Sequence, residues 1–329
     1  AEHGVVAASG GNHGAAAAYA AQQLGHKARI YVPSISSPAK IARIKSYGAD
    51  IPNPGPYYQR GGANLTGLGE IRHVYDFENQ RGDLWETRVA GIGTAQFAFG
   101  ELSSALFEAS TGPRLALAPE SLPGASIRPY VIGSYATTAL GRLGSSAGAG
   151  VTARFPIGNT FQIEPGVEWR HLNIAVTSRF FEVAATQNTG SLWTGSLAAR
   201  WSATDRLTFD AKVLFGRNSS ITSTLTSRRF GLEAQARYEF DPPSDLIGWR
   251  WSATPFVRYT ETRFDAADVF VDPLVARVDH QLRIGSQFDM PITKMFGVAA
   301  LVQYVRNNSN LANYRASAWS GLIGPTLRF

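Results

Sequence analysis

Glu164 and Glu168 form the best-spaced pair of ionisable groups in the chain, four residues apart, with Arg170 two residues further on. In an extended segment, even spacing places all three side chains on one face. Two carboxylates held together can share acid and base roles, and that is the chemistry this spacing permits. The simpler use of the pattern is the charged lining of a water-filled space, and the flanking residues favour it. Phe161, Ile163, Pro165, Val167 and Trp169 occupy one side of the segment; Gln162, Glu164, Gly166, Glu168 and Arg170 occupy the other. A second candidate is Ser9-Gly10-Gly11-Asn12-His13-Gly14, a glycine-rich turn opening an alanine-rich run, whose free backbone N–H groups could hold an anion. The six histidines, His3, His13, His26, His73, His171 and His280, show no pair at ligand spacing, so no metal site is expected. No serine triad order can be argued.

The elements that must position these groups are strands. From residue 64 onward the chain is a series of alternating segments of roughly ten residues separated by turn residues, the repeated signature of a transmembrane barrel. The alternation predicts strands over 64–75, 84–97, 102–115, 127–135, 145–155, 161–171, 191–203, 207–217, 227–240, 249–260, 277–288, 296–306 and 317–329. One face then collects Trp169, Trp193, Trp201, Phe209, Phe215, Tyr238, Phe240, Trp251, Tyr259, Phe288, Tyr304 and Trp319. This is the face expected toward lipid, with aromatic girdles near strand ends. The opposite, lumen-facing side carries the acids Glu164, Glu168, Asp210, Glu233 and Asp279. Its bases are Arg170, Arg200, Lys212, Arg229, Arg237, Arg258 and Arg283. Mixed charges on one face of many strands cannot pack a dry core; they need a wet lumen or dense pairing. Short turns at 155–161, 204–207 and 289–296 alternate with longer loops at 172–190, 218–226, 261–276 and 307–316. That asymmetry suits short periplasmic turns and longer outer loops. A tight turn at 99–101 breaks the parity.

Composition sets the bounds. The chain has 329 residues, no cysteine, and a formal charge of +6 carried mostly by singly scattered arginines. Disulfides and Cys-based metal sites are excluded, and no basic cluster suggests nucleic acid. Three of the five lysines, Lys27, Lys40 and Lys45, fall in the first fifty residues, as if the chain had two origins. No run of about eighteen apolar residues occurs, so no transmembrane helix is expected. Residue 1 is Ala and no signal peptide is visible, so the sequence reads as a fragment or processed chain.

Residues 1–51 read as a loop through Gly14, a helix over 15–24 capped by Gly25, a strand over 28–32 and a second helix over 38–47. Their wording, GVVAASGGNHGAAAAYAAQQLGHKARIYVP followed by PAKIARIKSYGAD, resembles the threonine dehydratase and serine racemase family of pyridoxal-phosphate enzymes. The resemblance implies that Ser9 to Gly14 corresponds to the loop cradling the substrate carboxylate, with Asn12 against the cofactor ring. The family's Schiff-base lysine lies upstream of this loop, and its phosphate-binding glycine loop comes far downstream. No run of three glycines occurs here. The segment is therefore expected to be a vestigial α/β fragment that holds no cofactor. The alternative is pyridoxal phosphate bound by a fragment of a complete dehydratase.

In the remainder, VYDFENQRGDLWET, IEPGVEWR and RIGSQFDMPITKMFG resemble the C-terminal barrel of the surface lipoprotein assembly modifier family. That resemblance implies a fourteen-strand outer-membrane barrel that moves client proteins to the cell surface. The last strand, ending on Phe329, resembles the signature by which the outer-membrane assembly machinery recognises its clients. The expected architecture is mainly β: an antiparallel transmembrane β-barrel of about thirteen to fourteen strands with a short N-terminal α/β fragment. Its parts are a dehydratase-like piece (1–51), a Pro/Gly-rich linker (52–63) and the barrel (64–329). The expected function is protein translocation at the bacterial outer membrane, without enzymatic activity. The alternatives are a passive pore or structural barrel, and a catalytically incomplete dehydratase fragment. The expected partners are the lipid bilayer, the barrel assembly machinery and an exported client.

Overall fold

The computed structural model describes residues 5–8, 12–31, 38–51, 64–97, 103–139, 141–174, 189–243, 248–268 and 271–327. The expected linker (52–63), the loop residues Ser9, Gly10 and Gly11, the turn at 99–101 and the terminal Phe329 lie outside them.

The N-terminal segment is a small βαβα unit. Strands β1 (Val5–Ala8) and β2 (Ala28–Tyr31) pair in parallel, and α1 (Asn12–Gln23) and α2 (Pro38–Ser46) follow them. The first strand was not legible, because four small apolar residues ahead of a glycine turn carry no periodicity. Helix α1 also begins three residues earlier than expected, so Asn12, His13 and Gly14 form its first turn and not a loop. Its end is as expected. Gly25 has φ +69°, and the Gly25 and His26 N–H groups donate to the Gln22 and Ala21 carbonyls, a Schellman closure. The core is Ala18, Ala21, Ala28, Ile30, Ile44 and Ala49. So small a cluster buries little apolar surface.

The remaining strands form one antiparallel meander in strict sequence order, from β3 at one edge to β15 at the other. They are β3 (Asn64–Asp76), β4 (Leu84–Gln96), β5 (Ser104–Ala116), β6 (Ser126–Thr138), β7 (Gly141–Ile157), β8 (Phe161–Ile174) and β9 (Gly190–Ser202). They continue with β10 (Leu207–Ser220), β11 (Ser227–Phe240), β12 (Trp251–Ala267), β13 (Ala276–Pro291), β14 (Phe296–Ser309) and β15 (Ala316–Leu327). All thirteen were legible as alternating segments. The main departures are at the ends opposite the short turns. Strand β12 runs to Ala267 and β14 to Ser309, so the expected loops at 261–276 and 307–316 are partly strand. Their outer ends carry Glu261, Arg263, Asn307 and Asn308, which end the apolar pattern without ending the hydrogen-bond ladder.

The sheet is rolled. In a flat sheet β5 and β8 would lie about 14 Å apart at the usual spacing of strands. Yet Arg170 Nη1 on β8 donates to Glu108 Oε2 on β5 at 2.6 Å. Arg128 on β6 likewise reaches the Glu86 carbonyl on β4, at 3.4 Å. One concave cavity of about 610 Å³ is walled by residues from β3 (Glu70) to β10 (Leu214). A second, about 560 Å³, runs from β7 (Arg154) to β14 (Gln303). Glycines on the concave face permit the roll. A Cβ on Gly148 would lie 2.0 Å from the Trp169 carbonyl oxygen, and one on Gly112 2.1 Å from that of Pro129. Those contacts are backbone and cannot swing away. Gly148→Ala is expected to lose about 1–3 kcal/mol of unfolding free energy, as overpacking does, measured by urea unfolding in micelles.

The connections are asymmetric as expected at residues 158–160, 203–206 and 292–295, which are short turns at one end. The parity fails at three links, one of them in the C-terminal half where it was expected to hold: β6 steps to β7 between Thr138 and Gly141 at the opposite end, and the 117–125 and 241–250 links at the short-turn end are long. The β3–β4 turn is tied by Asp83, a buried residue whose carboxylate accepts the Ala116 N–H at 2.8 Å and the Asn79 amide at 3.0 Å. These bonds, the Ala116 N–H foremost, hold its pKa below the ordinary carboxylate value. A depressed folded-state pKa gives stability that is present above the unfolded pKa and lost as pH falls through the folded one. Asp83→Asn should therefore lower the denaturation midpoint at neutral pH. The gap from the parent should close in acid below about pH 4.

Candidate functional site

Register decides which side chains share the concave face. Arg200 faces Asp210, Lys212 faces Glu233, Glu233 faces Arg258 and Arg258 faces Arg283 in successive strand pairs. By alternation Glu164, Glu168, Arg170, Arg229, Arg237 and Asp279 stand on the same side. All twelve residues expected on one face therefore share it.

Not all of them meet. Arg154 Nε lies 3.3 Å from Glu164, Arg200 Nε 2.6 Å from Asp210 and Arg258 Nε 2.7 Å from Glu233. Arg170 bonds Glu168 at 2.5 Å, and Glu168 also accepts the Tyr130 hydroxyl at 2.9 Å. Arg237 pairs with Glu239, and Arg277 with Asp279. Lys212, Arg229 and Arg283 make no ion pair among the described residues. Because Glu164 and Glu168 are each engaged by arginine, the pair lines the cavity and does not present free carboxylates for acid–base work.

Sequence reasoning missed a second charged centre on the first strands. Glu86 on β4 receives Arg72 and Arg114, each at 3.1 Å, with Arg128 Nε 3.9 Å away. The Glu86, Arg114 and Arg128 side chains are only 9–11% exposed. Continuing the alternate reading through 84–116 would have found Glu86 and Arg114, which share a face with Arg72 and Arg88. The spelling Gly-x-Ser-x-Gly also occurs, at Gly144 to Gly148. There Ser146 lies inside β7 and bonds Ser134 at 2.7 Å, not on a strand-to-helix turn, so it is no nucleophile elbow.

The convex face is the complement. Trp169 pairs with Trp193, Phe161 with Trp201, Trp201 with Phe209, Phe215 with Phe230, Phe240 with Trp251, and Tyr304 with Trp319. Trp169, Trp193, Trp201, Phe215, Tyr238 and Trp319 are exposed there. On five strands two aromatic residues stand eight positions apart: Phe161 and Trp169, Trp193 and Trp201, Phe230 and Tyr238, Trp251 and Tyr259, Phe296 and Tyr304. Between them the outward residues are Ile, Pro, Val, Gly, Leu or Ala without exception. Beyond the row at the longer-loop end, Arg217, Arg228 and Arg263 adjoin in register.

In the N-terminal unit, Lys27 and Lys45 are exposed. An aldimine-forming lysine sits in a desolvated pocket, which neither of these two lysines occupies. No group of three His, Asp or Glu suited to a metal occurs among the described residues.

The family model of pyridoxal-phosphate dependent enzymes matches residues 1–73. The match thus runs past the expected boundary at residue 51 and into β3, which register assigns to the large sheet. No curated protein matches the sequence. Among solved structures, the chain is similar to a bacterial polysaccharide outer membrane secretin, at 10% identity over 82% of this chain and 86% of that one, with a TM-score of 0.41. An anion-selective porin from Comamonas acidovorans gives 9% identity over 80% and 98%, with a TM-score of 0.32. The beta domain of the Bordetella autotransporter Brka gives 12% over 81% and 100%, with a TM-score of 0.26. At such TM-scores the reading of the sheet rests on its own register.

Proposed function

We propose that the rolled sheet is an outer-membrane barrel whose convex face meets lipid and whose charged concave face lines water. The paired aromatic rows carry this reading. Eight residues of strand span about 27 Å, or about 20 Å along the membrane normal at a usual tilt of 35–45°. An uncharged band of that height between two aromatic rows matches the hydrocarbon layer crossed by bacterial barrels. A soluble sheet gains nothing from leaving tryptophans exposed in two level rows.

The finer function is translocation of a surface lipoprotein or other exported protein. It is supported by the resemblance of residues 64–329 to the surface lipoprotein assembly modifier barrel. The passive pore is the second reading, favoured by the cavities on the concave face. The N-terminal unit is a vestigial, non-catalytic piece, and neither it nor the barrel is an enzyme. The terminal Phe329 serves as the recognition signal for the assembly machinery.

Vesicles containing brominated lipids test the membrane reading. In the fraction that floats with the vesicles, fluorescence of Trp169, Trp193, Trp201 and Trp319 should fall severalfold. Tryptophans that stay unquenched in that vesicle-bound fraction would remove the proposal. Surface display of a co-expressed lipoprotein, against uptake of small solutes alone, then separates the two finer readings.

A further inference from the structure

We propose that the concave face holds a binding site for a divalent oxyanion of the phosphate type, formed by Lys212, Arg258 and Arg283. The inference rests on the membrane-barrel reading only in taking the concave face as aqueous.

In the 560 Å³ cavity every acid already has a cation: Glu164 has Arg154, Asp210 has Arg200 and Glu233 has Arg258. Lys212 and Arg283 line the same cavity and have no acidic partner among the described residues. Lys212 lies opposite Glu233 in register, but that carboxylate is taken by Arg258. Arg258 and Arg283 are directly opposed across β12 and β13. Like charges directly opposed destabilise a strand pair, and a sheet holds them there at a cost unless an anion lies between. The Arg283 Nε is buried and has no hydrogen-bond partner. No acceptor therefore holds this guanidinium at Nε, and a guanidinium free of a carboxylate partner can grip an oxyanion in fork geometry.

The chemistry of the ligand follows from charge and donors. The row Lys212, Glu233, Arg258, Arg283 carries a surplus of two positive charges, which a phosphate near −2 would cancel and a chloride would not. Gln303 lines the cavity diagonally across from Arg283, opposite Gly285 in register, and offers an amide donor to the remaining oxygens. Gly285, two residues from Arg283, leaves room for the Phe256 ring; a Cβ there would lie 2.7 Å from Phe256 Cζ. The ring gives one side of the site an apolar wall, where charge–charge attraction is less screened.

The full chain in detergent micelles should be titrated with inorganic phosphate, using calorimetry, against sodium chloride at equal ionic strength. Saturable phosphate binding is expected, weakened at least tenfold by Arg283→Gln or Lys212→Gln and unchanged by Arg88→Gln, whose side chain pairs with Glu70 elsewhere. Arg283→Glu should abolish binding. Without phosphate it should melt no lower than the parent, because it replaces an opposed like pair by an ion pair with Arg258. Phosphate should raise the parent's midpoint and leave that of Arg283→Glu unmoved. Equal responses to phosphate and chloride, or unchanged affinity in both glutamine variants, would overturn the site. Flotation with vesicles is read separately, so loss of the anion site and loss of the membrane reading give different results.

Discussion

Replacing Glu86 by Ala is expected to cost about 3–5 kcal/mol of unfolding free energy, the effect of breaking a buried ion pair from one side. The carboxylate accepts Arg114 Nε and Nη2 at 3.2 and 3.1 Å and Arg72 Nη2 at 3.1 Å. Without it Arg114 and Arg128, 11% and 9% exposed, face each other with no counter-charge. Arg128 Nε already lacks a hydrogen-bond partner, so its guanidinium has little else to gain. Glu70, half exposed and paired with Arg88 at 2.6 Å, is the contrast: Glu70→Ala should change stability by less than about 1 kcal/mol, as exposed pairs do. The measurement is urea unfolding in micelles, followed by tryptophan fluorescence. A triple replacement of Glu86, Arg114 and Arg128 by apolar residues should recover most of the loss, because no buried charge is then stranded. A Glu86→Ala cost as small as that of Glu70→Ala would mean that water reaches the cluster freely.

The strands were legible because each half-wet strand repeats every two residues, and the concave and convex lists follow from that period alone. Partners were not legible. Glu86 and Arg128 are 42 residues apart, and nothing local says that Arg128 reaches over β5 to the Glu86 carbonyl. Nor does the alternation of Lys212, Glu233, Arg258 and Arg283 reveal that register sets them in one row, since a shift of two residues would preserve every face and change every neighbour. Strand ends failed where polarity and hydrogen bonding part company. Residues 261–267 read as loop because Glu261, Arg263 and Asp265 are charged, but pairing continues to Ala267. In the N-terminal unit the helix start was misplaced because Asn12, His13 and Gly14 are poor helix formers, yet they occupy a first turn, where propensity matters least.

Supplying a fourteenth strand antiparallel to β3 should raise insertion into lipid vesicles at least tenfold. Each of the twelve strand steps is antiparallel, so β3 and β15 run in the same direction and are not paired to each other among the described residues. Both edges show it in their exposure. Almost every residue of β3 is exposed, and on β15 Trp319 and Ile323 reach 75% and 76%. About half the N–H and C=O groups of an edge strand point away from its only neighbour. In water they are solvated, but in hydrocarbon each costs several kcal/mol. A micelle admits water at such a seam and a bilayer does not, so the thirteen described strands with both edges open should fold in detergent and insert poorly in lipid. Amide hydrogen exchange gives the local reading: β3 and β15 should exchange far faster than β8, which is paired on both sides. With an added amphipathic strand ahead of Asn64, the amides of both edges should become protected as insertion rises. Equal protection of β3, β15 and β8 in vesicles without the addition would mean that thirteen strands close through a parallel pair. A rise in insertion without protection of β15 would mean that the added strand covers β3 alone and the barrel stays open.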